Sequence, residues 1–233
     1  MSPAKGLRVV EVFSSLQGEG LRLGQRQVFV RLAGCNLACD YCDTPGSRDL
    51  SSGEPWTFKR LQARIAELQK ELCHEAVSWT GGEPLLQLPG LLTMLRWAKS
   101  VGLANYLETN ATFVEEFLRA APLCDVVSAD IKLPSATRRE TWSRHLEFLK
   151  VAPEKTFVKV VLTKETKDAE WRQVIRLLAE ASPDIPLVLQ PATPVQGVEP
   201  IEPERVLCFL RQAKGYLKDV RLIPQWHPVW GMR

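Results

Sequence analysis

The chain contains the sequence Ala76-Val-Ser-Trp-Thr-Gly-Gly-Glu-Pro-Leu-Leu-Gln-Leu-Pro-Gly-Leu-Leu-Thr-Met-Leu-Arg-Trp-Ala-Lys99. Its first four residues form a short, mostly apolar run that is typical of a buried strand, and its last twelve read as a helix. A Gly-Gly turn separates the two patterns. This order predicts one strand–turn–helix unit of a parallel sheet.

The same order repeats along the rest of the chain. Strands are predicted at 27–32, 76–79, 105–108, 125–129, 156–162, 187–189 and 220–223, and helices at 57–72, 88–99, 112–120, 138–149, 168–180 and 203–214. The spacing between strands is that of βα units, and about six such units are too few to close an eight-stranded barrel. The sequence therefore predicts an α/β fold: a partial (β/α)6-type barrel, with a parallel sheet, outer helices and an active site at the carboxyl ends of the strands. No composition shift divides the chain, so residues 1–233 are expected to form one domain.

Composition and charge limit the possible partners. Of the 233 residues, 45% are apolar and 24% are charged, and 30 basic against 27 acidic residues leave a net charge of +3. These values are typical of a globular protein, and they predict neither a nucleic-acid partner nor a membrane-embedded one. The first residues do not show the charged stretch followed by an apolar stretch that is typical of a secretory signal, so a cytoplasmic location is expected.

Three cysteines crowd into the segment Cys35-Asn-Leu-Ala-Cys39-Asp-Tyr-Cys42, which directly follows a predicted strand. Three thiolates on one loop suit a 4Fe-4S cluster, and they leave one iron open to bind another ligand. The alternative is a structural zinc site, whose fourth ligand would have to come from a place such as Cys73-His74. The other cysteines are scattered and are expected to be buried as small hydrophobic residues.

The C-x3-C-x2-C spacing, with an aromatic residue before the last cysteine, resembles the signature of radical S-adenosylmethionine enzymes. In that superfamily the open iron binds S-adenosylmethionine, and an electron from the cluster cleaves it to a 5′-deoxyadenosyl radical. Thr80-Gly-Gly-Glu-Pro84 is similar to the turn that follows the second strand in these enzymes. Its amides and carboxylate suit the amino-acid end of S-adenosylmethionine.

Flanking motifs narrow the resemblance to one family. They are Ser15-Leu-Gln-Gly-Glu-Gly20, Asp43-Thr44, Glu108-Thr-Asn110, Asp130-Ile-Lys132, Leu189-Gln-Pro191 and Ile223-Pro-Gln-Trp-His227. Together they resemble the 7-carboxy-7-deazaguanine synthase family, over nearly the whole chain. The resemblance implies a carbon–nitrogen lyase of queuosine or 7-deazapurine biosynthesis. It would convert 6-carboxy-5,6,7,8-tetrahydropterin to 7-carboxy-7-deazaguanine by ring contraction with loss of ammonia.

The resemblance also implies site residues and partners. The metal ligands would be Cys35, Cys39 and Cys42 for the 4Fe-4S cluster and Thr44 for Mg²⁺. S-adenosylmethionine would be bound by Tyr41, Cys42, Asp43, Gly82, Glu83, Asp130, Lys132, Gln190 and Thr193. The pterin would be bound by Leu16, Gln17, Gly18, Glu19, Arg31, Thr80, Glu108 and His227. No protein side chain is expected to abstract hydrogen. A flavodoxin or ferredoxin as electron donor and a homodimer follow only from the resemblance.

Arg31 has support of its own, because a lone charged residue amid Val-Phe-Val and Leu-Ala favours function, and its planar fork suits a substrate carboxylate.

Two alternatives remain open. Many members of the family carry Ser-Pro-Lys where this chain has Asp130-Ile-Lys132, and glycyl-radical activating enzymes show a similar Asp-x-Lys. A radical enzyme that activates a protein glycyl site is therefore one alternative, although the motif at 15–20 argues against it. A zinc- or cluster-binding module without catalysis is the other, and the turn at 80–84 argues against that.

Overall fold

The computed structural model describes residues 6–195 and 197–231. Within these residues the strands are β1 (Gly6–Leu16), β2 (Arg26–Leu32), β3 (Glu54–Thr57), β4 (Ala76–Gly81), β5 (Ala104–Thr109), β6 (Val126–Asp130), β7 (Thr156–Leu162), β8 (Leu187–Pro191) and β9 (Val220–Leu222). The helices are α1 (Phe58–Glu71), α2 (Leu88–Ser100), α3 (Val114–Ala120), α4 (Pro134–Thr137), α5 (Trp142–Leu149), α6 (Asp168–Ala181) and α7 (Pro203–Lys214).

One sheet contains the nine described strands, in the order β3-β1-β2-β4-β5-β6-β7-β8-β9. The seven strands from β2 to β9 in this order pair in parallel, while β1 pairs antiparallel with both β2 and β3. Strands β3 and β9 lie at opposite edges, so the sheet does not close. The predicted α/β partial barrel is confirmed, with two antiparallel strands added at one edge.

Strands β1 and β3 were absent from the predicted series of parallel strands. Strand β1 alternates apolar residues with exposed and half-buried ones, which is the pattern of an antiparallel strand covered on one face. Strand β3 has four residues, includes Pro55 and directly precedes α1. An edge position tolerates that proline because one side of the strand needs no backbone partner.

The predicted helix at 138–149 begins later than expected. Arg138 has a φ of 60°, in the left-handed region, and ends the short helix α4. Helix α5 starts only at Trp142. A left-handed residue cannot continue a right-handed helix, so the predicted helix starts four residues late, at Trp142, and α4 is a separate short helix before it.

The strands alternate between an outer apolar face and an inner face that carries the polar residues. On β7, for example, Val158 and Val160 join the main core, whereas Lys159 points the other way. The main core also contains apolar residues of the helices, such as Leu61, Ile65 and Leu68, which recur along one side of α1. The outer face of the sheet is therefore packed against helices.

The inner face changes character along the strands. Near their amino ends it holds a small apolar cluster of Ala76, Tyr106, Phe157 and Val188. Two to four residues further along the same strands and on β6 come polar side chains, namely Ser78, Thr80, Glu108, Ser128, Asp130, Lys159 and Gln190. Because parallel strands all end at one edge, these polar residues meet at the carboxyl end of the sheet.

None of the helices in the described part of the chain has the length and apolar character needed to cross a membrane.

Candidate active site

A cavity opens at the carboxyl end of the sheet. Every residue that the sequence analysis assigned to a metal, cofactor or substrate lines it, except Glu83. The residues come from β1, β2, the cysteine loop, β4, β5, β6, β7, β8 and the segment after β9. The fold thus brings together side chains that are far apart in sequence, although their individual roles remain predictions.

The cysteine loop follows β2 and is held by main-chain hydrogen bonds from two sides. Gly34 donates to the Ser47 carbonyl at 2.8 Å and accepts from the Glu83 amide at 2.7 Å. A Cβ on Gly82 would lie 2.1 Å from the Gly34 carbonyl oxygen, so the turn after β4 approaches the loop more closely than an alanine would allow. The side chain of Arg48 donates to the Cys39 carbonyl at 2.5 Å.

The three thiols of this loop are free and face the cavity. Burial raises the pKa of the Cys35 and Cys39 thiols, so thiolates here call for a cationic partner such as iron. Four buried polar atoms of cavity residues, Tyr41 OH, Arg48 Nε, Asp130 Oδ1 and Gln190 Oε1, have no hydrogen-bond partner among the described residues. Buried polar groups are almost always paired. The cavity therefore fits a thiolate-bound cluster together with a polar ligand.

An ionic cluster crosses the inner face of the sheet. Lys132 Nζ lies 2.7 Å from Asp130 Oδ2, and Lys159 Nζ lies 3.2 Å from the same oxygen. Lys159 also binds the Glu19 carboxylate. Although burial alone would raise the pKa of Glu19, the ammonium of Lys159 and a hydrogen bond from Gln225 lower it to about 2. Burial alone would lower the pKa of Lys132, but Asp130 holds it well above its usual value.

Glu108 is the centre of a hydrogen-bond group on β4, β5 and the segment after β1. Its Oε1 accepts from Gln17 Nε2 at 2.9 Å and from Ser78 Oγ at 3.2 Å, while Oε2 accepts from Thr80 Oγ1 at 2.7 Å. Gln17 Oε1 in turn accepts from the Glu19 amide at 3.1 Å. Glu108 is thereby oriented as an acceptor in the cavity wall.

Arg31 lies on β2 with its Nε 2.8 Å from Glu11 Oε1, across the antiparallel β1–β2 pair. Its guanidinium lies 5.8 Å from the centre of the Phe13 ring, and Phe13 stacks on Phe29 at 5.1 Å. Arg31 still lines the cavity. The partner and the ring restrict its rotamers and present a cation at a defined place.

The segment after β9 lies over the predicted substrate motif. The Trp226 amide donates to the Gly18 carbonyl at 2.9 Å, and a Cβ on Gly18 would lie 2.8 Å from His227 Cβ. Oxygen and nitrogen atoms of Glu19, Asp43 and His227 all lie within 4.8 Å of one another. The sequence motif at 15–20 thus needs a glycine so that the C-terminal segment can pack against it.

Glu83 is the one predicted site residue that is missing from the lining of the cavity. Its side chain is fully buried and does not line the cavity. The carboxylate accepts from the Leu85 amide at 3.0 Å, from Thr109 Oγ1 at 2.9 Å and from the Asn110 amide at 2.7 Å. In this structure it therefore supports the turn and the end of β5.

Sequence reasoning assigned no role to Lys159, Asn110 and Gln225, which all line the cavity, although Asn110 and Gln225 belong to family motifs. A signal for Lys159 was present, because it is the single charged residue within the β-branched run Thr156–Leu162. Gln225 is connected to the site only through the tertiary fold, since it donates to Glu19 at 2.5 Å and accepts from Thr193 at 2.5 Å.

The structure gives no support to a zinc site completed by Cys73-His74. Both ring nitrogens of His74 have protein neighbours, at 3.0 Å to Gln69 Oε1 and 2.7 Å to Ser14 Oγ. Neither Cys73 nor His74 lines the cavity. The expectation for the scattered cysteines is correct for Cys124, which is buried, and wrong for Cys73 and Cys208, which are exposed.

Comparisons with known proteins agree with this geometry. Residues 16–145 match a family described as a 4Fe-4S single cluster domain. A 7-carboxy-7-deazaguanine synthase from Geobacter sulfurreducens is 37% identical over an alignment that covers 97% of this chain and 98% of that protein. The crystal structure of QueE from Escherichia coli superposes with a TM-score of 0.64 at 21% identity and covers 95% of both chains. A radical SAM methyltransferase from Sphaerobacter thermophilus gives a TM-score of 0.66 at 16% identity, over 95% of this chain and 78% of that one.

Proposed function

The chain belongs to the 7-carboxy-7-deazaguanine synthase family, and on that premise we propose that its cavity converts 6-carboxy-5,6,7,8-tetrahydropterin to 7-carboxy-7-deazaguanine. The observation that carries the proposal is the meeting of the three-cysteine loop with the polar inner face of the sheet in one cavity. The enzyme is a radical S-adenosylmethionine lyase, which takes a small-molecule substrate. The glycyl-radical activating alternative is not favoured, because the full-length relative is a synthase.

Cys35, Cys39 and Cys42 would hold the 4Fe-4S cluster, and Tyr41, Asp43, Gly82, Asp130, Lys132, Gln190 and Thr193 would surround S-adenosylmethionine. The cluster and S-adenosylmethionine supply, when bound, the radical that starts the reaction. Unpaired acceptors on Asp130 and Gln190 support contacts to donor groups of the cofactor. Gly82 leaves room for the close approach of the turn to the cysteine loop.

The substrate would lie against Leu16, Gln17, Gly18, Glu19, Arg31, Thr80, Glu108 and His227. Arg31 would bind the substrate carboxylate, because a guanidinium matches a carboxylate with two parallel hydrogen bonds. Glu108 would accept hydrogen bonds from the guanidine-like edge of the pterin, and its three protein donors keep it in place. Apolar residues that line the cavity, such as Phe13, Phe29 and Val161, leave the polar contacts to set the orientation.

Mg²⁺ would bind near Thr44 and Asp43, which are adjacent in the chain and both line the cavity. Two oxygen ligands are too few for an octahedral ion, so the substrate carboxylate and waters would complete the site. The cation would then neutralise charge on the substrate beside Arg31.

Other parts of the proposal come from the sequence and from the family, and not from the geometry of the site. We propose that residues 1–233 act as one domain, that the enzyme is a cytoplasmic homodimer, and that a flavodoxin or ferredoxin donates the electron. We propose no membrane or nucleic-acid partner, in keeping with the small net charge of +3.

The decisive test is anaerobic turnover of the reconstituted enzyme with a reductant, S-adenosylmethionine, Mg²⁺ and the carboxytetrahydropterin. We expect 7-carboxy-7-deazaguanine by mass spectrometry, lost in Cys35→Ala, Cys39→Ala and Cys42→Ala. Cys208→Ala is the matched control, because that cysteine is exposed and lies outside the cavity. Release of 5′-deoxyadenosine without product would retain the radical enzyme and refute the substrate.

A further inference from the structure

A closed ring of hydrogen bonds lies behind the cysteine loop. Asn36 Nδ2 donates to Thr112 Oγ1 at 3.0 Å, Thr112 Oγ1 donates to Asn110 Oδ1 at 2.6 Å, and Asn110 Nδ2 donates to Asn36 Oδ1 at 2.8 Å. Each of the three side chains both donates and accepts. The Thr112 amide also donates to Asn110 Oδ1, at 3.3 Å, which identifies that atom as the acceptor and sets the direction of the ring.

The ring leaves Asn110 with a second N–H group, and Asn110 Nδ2 lies 4.0 Å from Cys35 Sγ. Cys35 Sγ also lies 3.5 Å from the Leu37 amide. Among the described residues no comparable N–H contact reaches the sulfur of Cys39 or Cys42. One of the three thiolates thus has two N–H donors, and one of these donors is a side chain that a mutation can remove.

The position of Asn110 is held from its backbone as well. Its amide donates to Glu83 Oε2 at 2.7 Å, and its carbonyl oxygen lies 3.2 Å from His145 Nε2. The next residue, Ala111, has a φ of 57°, a left-handed conformation that is uncommon for a residue with a Cβ. Backbone of this kind persists where the surroundings over-determine it, as they do here.

From this geometry we propose that Asn110 is a positioning residue that donates a hydrogen bond to the Cys35 thiolate and raises the reduction potential of the cluster. The inference rests on the proposed 4Fe-4S cluster at the cysteine loop. Reduction by one electron adds negative charge to the cluster, and part of that charge lies on the thiolate sulfurs. An N–H donor stabilises this more negative state better than the oxidised one. Asn36 and Thr112 contribute by aiming the donor.

The test is an EPR-monitored redox titration of the reconstituted, S-adenosylmethionine-free enzyme, with dithionite as the electron source. In Asn110→Ala we expect the equilibrium constant for reduction to fall by up to about tenfold, or about 59 mV toward more negative potentials for one electron. Thr112→Val keeps the amide but removes the hydroxyl that aims it, so a smaller shift in the same direction is expected. Thr93→Val on α2, outside the cavity, is the matched control and should not shift the potential.

A wild-type chain that takes up no cluster would refute the proposed function on which the inference rests. An unchanged potential in both Asn110→Ala and Thr112→Val, with full iron content, would refute the inference alone. If Asn110→Ala fails to retain iron, the potential of Thr112→Val is the test: a shift to more negative potential supports the inference, and an unchanged potential refutes it. A structural role by itself would lower thermal stability without moving the potential, so the two readouts are measured on the same samples.

Discussion

Replacing Glu83 with glutamine is expected to remove a pH dependence from the stability of the fold. Burial raises the pKa of Glu83 to about 7, and hydrogen bonds from Asn110, Leu85 and Thr109 only partly oppose the shift. The side chain is fully buried, so no solvent screening reduces the effect. Glutamine has nearly the same shape but does not titrate.

The magnitude follows from the difference between the folded and unfolded states. Below pH 4.5, the ordinary value, the carboxyl is protonated in both states and contributes no pH dependence. As the pH rises from 4.5 to about 7, the unfolded chain loses this proton while the folded chain retains it, so the free energy of unfolding falls. At about 1.36 kcal/mol per pH unit, the loss reaches about 3 kcal/mol and then levels off.

The measurement is urea unfolding of metal-free wild type and Glu83→Gln at pH 4.5, 6 and 8, in reductant and chelator. The free energy of unfolding of wild type minus that of the variant should decrease by about 3 kcal/mol across the series, because all other titrating groups cancel. Glu67→Gln, at an exposed ion pair on α1, reports the effect of removing a surface carboxylate. A difference for Glu83→Gln that stays constant with pH would refute the reasoning, since it would mean that the hydrogen bonds fully offset burial.

Three further outcomes follow from the packing. Lys159→Met removes the cation between buried Asp130 and half-buried Glu19. It should lower the free energy of unfolding by about 3–5 kcal/mol in urea titrations, whereas the same change at the exposed Lys164 should have little effect. Gly82→Ala places a Cβ 2.1 Å from a carbonyl oxygen of the cysteine loop and should reduce iron uptake, while Gly46→Ala, whose Cβ meets nothing within 4 Å, should not; equal iron content in both would contradict this. Trp171→Ala removes a fully buried ring that stacks on Phe209, with 5.0 Å between the ring centres. The free energy of unfolding measured in urea should fall by about 3–5 kcal/mol.

Local patterns were sufficient to predict the main elements. Helix α7 spans Pro203–Lys214, as predicted, because its apolar spacing and its flanking proline and glycine are all adjacent in sequence. The first residues of α3 and α5 were predicted too early. The Thr112 hydroxyl binds Asn110 before α3 begins, and Arg138 is left-handed before α5 begins. Both helix starts depend on a single side-chain hydrogen bond or backbone angle, which the periodicity of apolar residues does not report.

The candidate site was predicted where a motif and a strand end coincide. Cys35, Glu108 and Asp130 each follow or end a strand of a parallel sheet, and such ends meet at one edge whatever the details of the packing. Glu83 satisfies the same rule, and yet its side chain does not line the cavity. Its direction depends on the Thr109 hydroxyl and the Asn110 amide, which lie on the next strand.

By itself the sequence determined the order of βα units, the open sheet and the loop that carries the three cysteines, because periodicity and motif spacing act over short distances along the chain. Only the tertiary structure decided which charged side chains pair with one another and which residues line the cavity. Lys159 binds Glu19 across 140 residues, and Gln225 reaches the same carboxylate across 206. The strength of such contacts depends on burial and direction, which arise only once the sheet has formed and excluded water.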